Sequence, residues 1–472
     1  MSQSKELEDE ASPVPDRRTG TVLALSCGTV FLAYLDTTVV NIAFAPMRAS
    51  FPEASTTGLS WVITAYAILF AALLIPAGRL SDVVGRRRQL LVATTGFAVA
   101  SALCALAPNL PVLIAARAAQ GAFAGGMIPA ALAVLLHETP PERRLRALGA
   151  WGAAGSLAAA AGPVLGSLLI DAVNWRAVFM INVPLALAIV WAAARTLGPD
   201  QRRTHRLPDL AGTALLTAGV GALVLGLTNG EHWGWTAPGT LLFTVAGPLL
   251  IAAALFRSRS HAAPAVEFDL WRSRDFRIAN LVAFPTAVAM FAWLLATPLF
   301  VATVWDYSIL KAGLAVTPGA FASAVAAIGI ARIRRRGLQR AAVSVGMVLF
   351  TANAVWLWLA LTDRPAFLPL WLATGLLGGT GIGLTLTGLN STAALAVPPA
   401  RFATGTGLHN AIRQVGGAFG VAGVAMISVA AATGTGSAAF RSIFLFTAVM
   451  SAVAALGGLA LLRTAPAPAP AR

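Results

Sequence analysis

The chain has 472 residues, of which 57% are hydrophobic and only 11% charged, and its net charge is +15. A soluble protein of this length would carry about twice that charged fraction, so a soluble globular domain is excluded. The basic residues sit in short turns between apolar runs rather than on one face, which argues against a nucleic-acid partner. The mean hydropathy of +0.75 and apolar runs of about 20 residues, enough to cross a hydrocarbon core of ~30 Å, define a polytopic membrane protein. Cys27 and Cys104 both fall inside such runs and imply no disulfide framework.

The acidic start, from Met1 to about Asp16, lacks a signal-peptide pattern and reads as a disordered cytoplasmic tail over residues 1–20. Fourteen apolar spans follow, at about 21–45, 57–77, 89–107, 110–136, 147–170, 177–196, 209–228, 238–256, 279–304, 310–331, 341–362, 366–390, 405–431 and 437–462. The Ala-Pro repeat over 463–472 favours polyproline II and reads as a second cytoplasmic tail. With the N-terminus inside, inner segments hold 27 Lys or Arg and outer segments five. That asymmetry fixes the orientation, with both termini cytoplasmic. Trp61, Trp175, Trp233, Trp235, Trp305, Trp356, Trp358 and Trp371 fall toward the outer side, where interfacial anchors belong.

A weak internal repeat divides the chain. Pro140-Pro141-Glu142-Arg143 opens span 5 and Pro398-Pro399-Ala400-Arg401 opens span 13. The same offset pairs Gly149 with Gly407 and Gly162 with Gly420. The expected architecture is all-α: a six-helix bundle over 21–196, two inserted helices over 209–256, and a second six-helix bundle over 279–462. Repeats packed around a central site are a common plan for transporters.

Charged groups inside hydrocarbon are costly and mark function by default. Asp36 in span 1 lies ~13 Å below the outer end, and Arg117 in span 4 lies ~10 Å below it. The two are therefore expected to meet inside the bundle. Arg117 would favour the carboxylate and desolvation would oppose it, as a proton-coupling carboxylate requires. A static salt bridge that orients helices is the competing reading. The turn Gly78-Arg79-Leu80-Ser81-Asp82-Val83-Val84-Gly85-Arg86-Arg87-Arg88 reads as a hinge at the membrane surface carrying Gly78, Asp82, Gly85 and Arg86. An ordinary topology-fixing loop is the alternative. Gly162, Pro163 and Gly166 in span 5 suit helix bending or plain close packing. Asn41, Gln120, His409, Asn410, Arg413 and Gln414 are polar groups in apolar spans and are candidates for substrate contact. Arg413 could instead snorkel, and His409 could be a packed polar residue.

Gly378-Gly379-Thr380-Gly381-Ile382-Gly383 lacks the Lys-Ser/Thr ending of a phosphate loop and follows no strand, so it reads as helix packing. No HExxH, CxxC pair, GxSxG, Walker motif or metal-ligand cluster is present in the sequence. No enzyme activity, metal or cofactor is expected.

These residues resemble the major facilitator superfamily, and within it the fourteen-span drug:proton antiporters. Gly78-x-Leu80-x-Asp82-x-x-Gly85-Arg86-Arg87 is similar to that superfamily's loop 2–3 motif. Leu35-Asp36-x-Thr38-Val39-Val40-Asn41 resembles the first-span motif, Leu113-x-x-x-Arg117-x-x-Gln120-Gly121 the span-4 motif, and Gly162-Pro163-x-x-Gly166 the span-5 antiporter motif. Trp61 to Tyr66, Asn174-Trp175-Arg176 and Asn410…Arg413-Gln414 are similar as well. Departures are Val83 at a position often basic, Ala158 and Ser167 where glycines are common, and a 332–340 loop that keeps arginines without an aspartate. The resemblance implies a monomeric, proton-driven exporter of a small amphipathic drug or antibiotic in the cell membrane. It also implies a contact from Asp82 to the start of span 13, near Thr404 to Thr406. A proton symporter of the same fold that imports a metabolite is the alternative. A non-transporting sensor or scaffold would tolerate Asp36→Asn with no flux to lose.

Overall fold

The computed structural model describes residues 16–53, 56–200, 209–261, 264–333, 336–430 and 436–462. The described residues form helices and connections, with no strand among them. The helices are α1 (Asp16–Ser50), α2 (Thr56–Val84), α3 (Arg86–Leu106), α4 (Leu110–Glu138), α5 (Arg144–Ala172), α6 (Ala177–Met180), α7 (Asn182–Thr196), α8 (Leu210–Trp233), α9 (Pro238–Ser258), α10 (Arg274–Thr303), α11 (Ile309–Ala331), α12 (Arg336–Ala360), α13 (Ala373–Leu395), α14 (Phe402–Ala430) and α15 (Ser437–Leu462). Thirteen spans in the described residues are long and apolar enough to cross a membrane, and a bent pair within the fifth gives a fourteenth.

Several helices outrun their expected spans. Residues 16–20 belong to α1 rather than to a tail, and Pro46 sits inside α1 instead of ending it. The expected tails over 1–15 and 463–472 lie outside the described residues. The sixth span is built from α6 and α7, joined at Ile181. The twelfth opens with a π turn over Phe367–Leu372. Within the fifth span the axis turns by 46° between 141–159 and 164–172. Pro163 lies at that break, and a proline, which has no backbone N–H to donate, is a common cause of a helix bend.

Packing follows the repeat. In the first part α1 packs on α5, α4 and α7, while α2 and α3 pack on α4. In the second part α10 packs on α14 and α15, α12 on α13 and α15, and α11 on α13. The two parts meet where α5 lies on α11 and α2 lies on α14. The glycine pairs of the repeat take matching places. A Cβ on Gly162 of α5 would overlap the Thr38 hydroxyl on α1, and one on Gly420 of α14 would overlap the Val288 carbonyl on α10. One on Gly149 of α5 would overlap Ala331 of α11, and one on Gly407 of α14 would lie 2.5 Å from the Leu74 carbonyl of α2. Helix α8 packs on α9 and reaches both α2 and α14, so it lies along the seam between the parts. Helix α9 is outermost and exposes Leu241, Leu242, Val245, Leu249 and Phe256 to lipid.

The glycine run 378–383 lies inside α13 and carries the α11 crossing. A Cβ on Gly379 would overlap the Gly319 carbonyl, and one on Gly383 the Ser323 carbonyl. Backbone cannot yield as a flexible side chain does. Gly379→Val is expected to lower the stability of the purified protein by about 1–3 kcal/mol, as overpacking does, read as a lower thermal unfolding midpoint.

The tryptophans do not all behave as interfacial anchors. Trp175, Trp305 and Trp371 are buried. Trp371 stacks on Phe300 with ring centroids 5.6 Å apart, and Trp305 lies 5.2 Å from Trp371. Their area does more work in packing the helix ends than at a lipid surface.

Candidate functional site

Two polar constructions stand out in an otherwise apolar bundle. The first is a charge network sealed inside the first six-helix unit. Asp36 on α1 is 0% exposed and Arg117 on α4 is 1% exposed. Arg117 Nη1 donates to Asp36 Oδ2 at 2.6 Å. Gln120 Nε2 donates to Asp36 Oδ1 at 2.9 Å, and Asn182 Nδ2, at the start of α7, donates to the same oxygen at 2.7 Å. Arg117 Nε donates to the Val62 carbonyl at 2.9 Å, and Arg117 Nη1 also donates to Gln120 Oε1 at 2.6 Å. Gln120 continues to Ser101 Oγ on α3 at 2.7 Å. The Arg117 guanidinium lies over the Tyr66 ring, 4.2 Å from its centroid.

Five helices thus supply one network. The spacing of Arg117 and Gln120, three residues apart, puts both on one face of α4. Three donors meet one carboxylate, and the Arg117 guanidinium compensates a carboxylate that burial would otherwise leave alone in a low dielectric. Gln120 is expected from the sequence to touch substrate, but it is fully buried and committed to Asp36, Arg117 and Ser101. Its amide is needed to complete the ion pair, since a buried charge demands its remaining hydrogen bonds. Asn182 and Ser101 are the members that sequence reasoning missed. A single small polar residue in an apolar span gives no pattern to find.

The second construction is the joint between the two parts at the arginine-rich end. Asp82, in the last turn of α2, accepts the Thr404 backbone N–H at 2.8 Å and the Thr404 hydroxyl at 2.9 Å through Oδ2. Its Oδ1 faces Arg86 Nη2 at 3.3 Å, and Arg86 Nη2 donates across the joint to the Pro399 carbonyl at 2.5 Å. The carboxylate therefore satisfies one of the free N–H groups in the first turn of α14 and favours its positive dipole end. A Cβ on Gly78 would overlap the Ala403 carbonyl, so only glycine lets α2 approach α14 here. Gly85 has φ +115°, a conformation that L side chains rarely adopt. Asp200 fills the space beside Gly85 and accepts the Arg87 and Arg88 backbone N–H groups at 3.0 and 2.9 Å, which caps α3. Arg144 at the start of α5 lies over the Phe402 ring at 5.3 Å.

An acid from the connection between α9 and α10 completes the joint. Glu267, 6% exposed, forms ion pairs with Arg79 of α2 and with Arg401, which precedes α14, the latter at 2.9 Å. Asp269 lies 3.9 Å from the same Arg401. The corresponding 332–340 turn is not purely positive either. Arg340 pairs with Asp275 in the first turn of α10, so the acid comes from another helix. At the opposite end, Asp363 accepts the Ser437 backbone N–H at 2.6 Å, and this bond holds its carboxyl below the usual carboxylate range.

Four of the remaining candidates, His409, Asn410, Arg413 and Gln414, lie on α14. His409 is buried, with Nδ1 3.0 Å from Asn280 Oδ1 and Nε2 3.1 Å from Asn390 Oδ1. Asn410 donates to the Thr406 carbonyl of its own helix at 2.9 Å. Arg413 is buried and Gln414 half-buried. Gly166 is buried against α1, where a Cβ would meet Val39. Asn41 and Pro163 fall in α1 and α5, but their side chains lie outside the described residues.

The comparisons agree with this architecture. The family model described as Major Facilitator Superfamily matches residues 27–421. The chain is 34% identical over 435 residues to the puromycin resistance protein pur8 of Streptomyces alboniger, covering 90% of this chain and 85% of that protein. It is 33% identical to the cephamycin export protein CmcT of Amycolatopsis lactamdurans, covering 85% and 83%. It is 28% identical to the multidrug export protein EmrB of Escherichia coli K12, covering 84% and 78%. Among solved structures, the human organic anion transporter MFSD10 (TETRAN) superposes with a TM-score of 0.68 at 17% identity, covering 95% of this chain and all of that one. The fold and the helix joint define a multi-pass membrane transporter. The chain belongs to the Major Facilitator Superfamily, among its drug:proton antiporters.

Proposed function

We propose that this protein exports a small amphipathic compound, of the drug or antibiotic class, in exchange for protons. It works by alternating access as a single chain in the cell membrane, without a cofactor, and keeps both termini in the cytoplasm. The arginine-rich end is then the cytoplasmic one, and the joint there holds the protein closed to the cytoplasm. The two six-helix units over 21–196 and 279–462 move against each other, with the 209–256 pair inserted between them in sequence. Gly78, Asp82, Gly85 and Arg86 form the hinge contact, and Gly162, Pro163 and Gly166 set the bend of α5.

The observation that carries this reading is the Asp36–Arg117 pair, fully buried inside one unit yet built from five helices. Protonating Asp36 removes the charge that Arg117 answers, so the helices that hold the pair must reset. A proton reaches Asp36 only when those helices part, which ties protonation to conformation. The relatives named for export or antibiotic resistance support the outward direction.

The test uses inside-out vesicles energised to an acid interior, a panel of antibiotics and dyes, and an interior pH probe. At least one compound is expected to release protons in the native protein and not in Asp36→Asn. Release that survives in Asp36→Asn would keep the exporter and remove Asp36 from the pathway. Proton entry together with the compound would show a symporter instead.

A further inference from the structure

The ion pairs described above answer the buried charges of the bundle one by one. Asp36 has Arg117, Asp82 has Arg86, Arg340 has Asp275, and Glu267 has two arginines. Arg413 is different. It lies eleven residues into α14, about 16 Å along the helix axis, and is 6% exposed. Its Nε is sealed from solvent and has no hydrogen-bond partner, and no carboxylate among the described residues pairs with its guanidinium. A charge in that position is held at a cost unless something answers it.

Nothing in the second half can answer it. From the start of α10 to the end of α15 the sequence has three carboxylates: Asp275, which Arg340 already holds, and two more, Asp306 and Asp363. Both lie in connections at helix ends, Asp306 between α10 and α11 and Asp363 after α12. Asp363 is already bound to Ser437. Across the seam, Asp36 is saturated by three donors. One turn before Arg413, His409 cannot compensate a cation, and its two ring nitrogens are engaged by Asn280 and Asn390. The side-chain nitrogen of Asn410 is turned back onto its own helix.

We propose that Arg413 receives an anionic group of the transported compound, a carboxylate or sulfonate on an amphipathic aromatic or aliphatic body. This rests on the export reading and names the substrate class for it. A planar guanidinium presents parallel donors that match the two oxygens of such a group. The same helix carries Thr404 and Gly407 of the joint, so an anion seated at Arg413 acts on the element that closes the cytoplasmic end.

The test is thermal unfolding of the purified chain in nanodiscs of phosphatidylcholine alone, so that no anionic lipid can supply the charge. Without ligand, Arg413→Gln is expected to unfold at a higher temperature than the native protein, because it removes an unanswered buried charge. A lower unfolding temperature would mean that Arg413 has a structural partner and would overturn the proposal. The ligand arm uses aromatic carboxylates and sulfonates, each beside its methyl ester or amide. At least one anion is expected to protect the native protein with an affinity at least about tenfold above that for Arg413→Gln, the value of a charge-assisted hydrogen bond. Arg413→Lys is expected to fall between them. The proposal fails if no anion protects, if the neutral partner protects equally, or if Arg413→Gln is protected as well. Protection by chloride alone at equal strength would assign a small inorganic ion instead and overturn the substrate class. No proton gradient enters this assay, so a failure of the vesicle experiment and a failure here fall on different claims.

Discussion

Asp36→Asn is expected to abolish compound-driven proton movement and to destabilise the protein by about 3–5 kcal/mol, the cost of leaving one member of a buried ion pair uncompensated. The loss falls on Arg117, which is 1% exposed and has no second carboxylate among its contacts. Asparagine can keep the size and some of the hydrogen bonds of Asp36, so packing changes little. The double variant Asp36→Asn/Arg117→Met separates the two roles. It removes both charges and is expected to recover most of the stability, because apolar replacement of a whole buried pair is often neutral. Transport is expected to stay absent. Unfolding midpoints of the three proteins, taken beside flux in reconstituted vesicles, check both parts. Recovery of flux in the double variant would make the pair a strut and nothing more.

The second large effect is expected at the joint. Asp82→Asn replaces a charged acceptor of two bonds from Thr404 by a neutral one. Hydrogen bonds to a charged group are worth more than neutral ones, so the closed cytoplasmic end is expected to lose roughly tenfold in population. Gly78→Val reaches the same end by force, since its side chain would collide with the Ala403 carbonyl. Labelling of a cysteine placed near the joint, in native lipid, reads the change as faster modification in both variants. An unchanged labelling rate in both would mean that the α2–α14 contact does not hold this state.

Much of this is legible in the sequence. Asp36 and Arg117 announce themselves because charges in apolar runs are rare, and because helical rise puts them at one depth. The repeat at Pro140 and Pro398 placed α5 and α14 in equivalent positions, and the glycines carried by that offset do sit at equivalent crossings. The Asp82 contact with Thr404 came only through family resemblance, since nothing in the turn itself points 322 residues along the chain. Asn182, Ser101 and Glu267 were out of reach for a plainer reason. A lone amide, hydroxyl or loop carboxylate gains meaning only from what tertiary packing sets beside it. Gln120 shows the opposite case: a polar residue near the bundle centre reads as a ligand contact, while in the structure its amide is engaged by Asp36, Arg117 and Ser101.

Glu267 carries a consequence of its own. One carboxylate grips Arg79 from the first unit and Arg401 from the second, and it cannot follow both when they separate. The chain after it runs directly into α10, and Asp269 already leans toward Arg401. If the units part as proposed, the grip expected to yield is the one on Arg79. Helix α8 lies against α2 of the first unit as well as α14 of the second, so any parting of the units must slide it along one of them. The insertion is thus a surface shared by both halves.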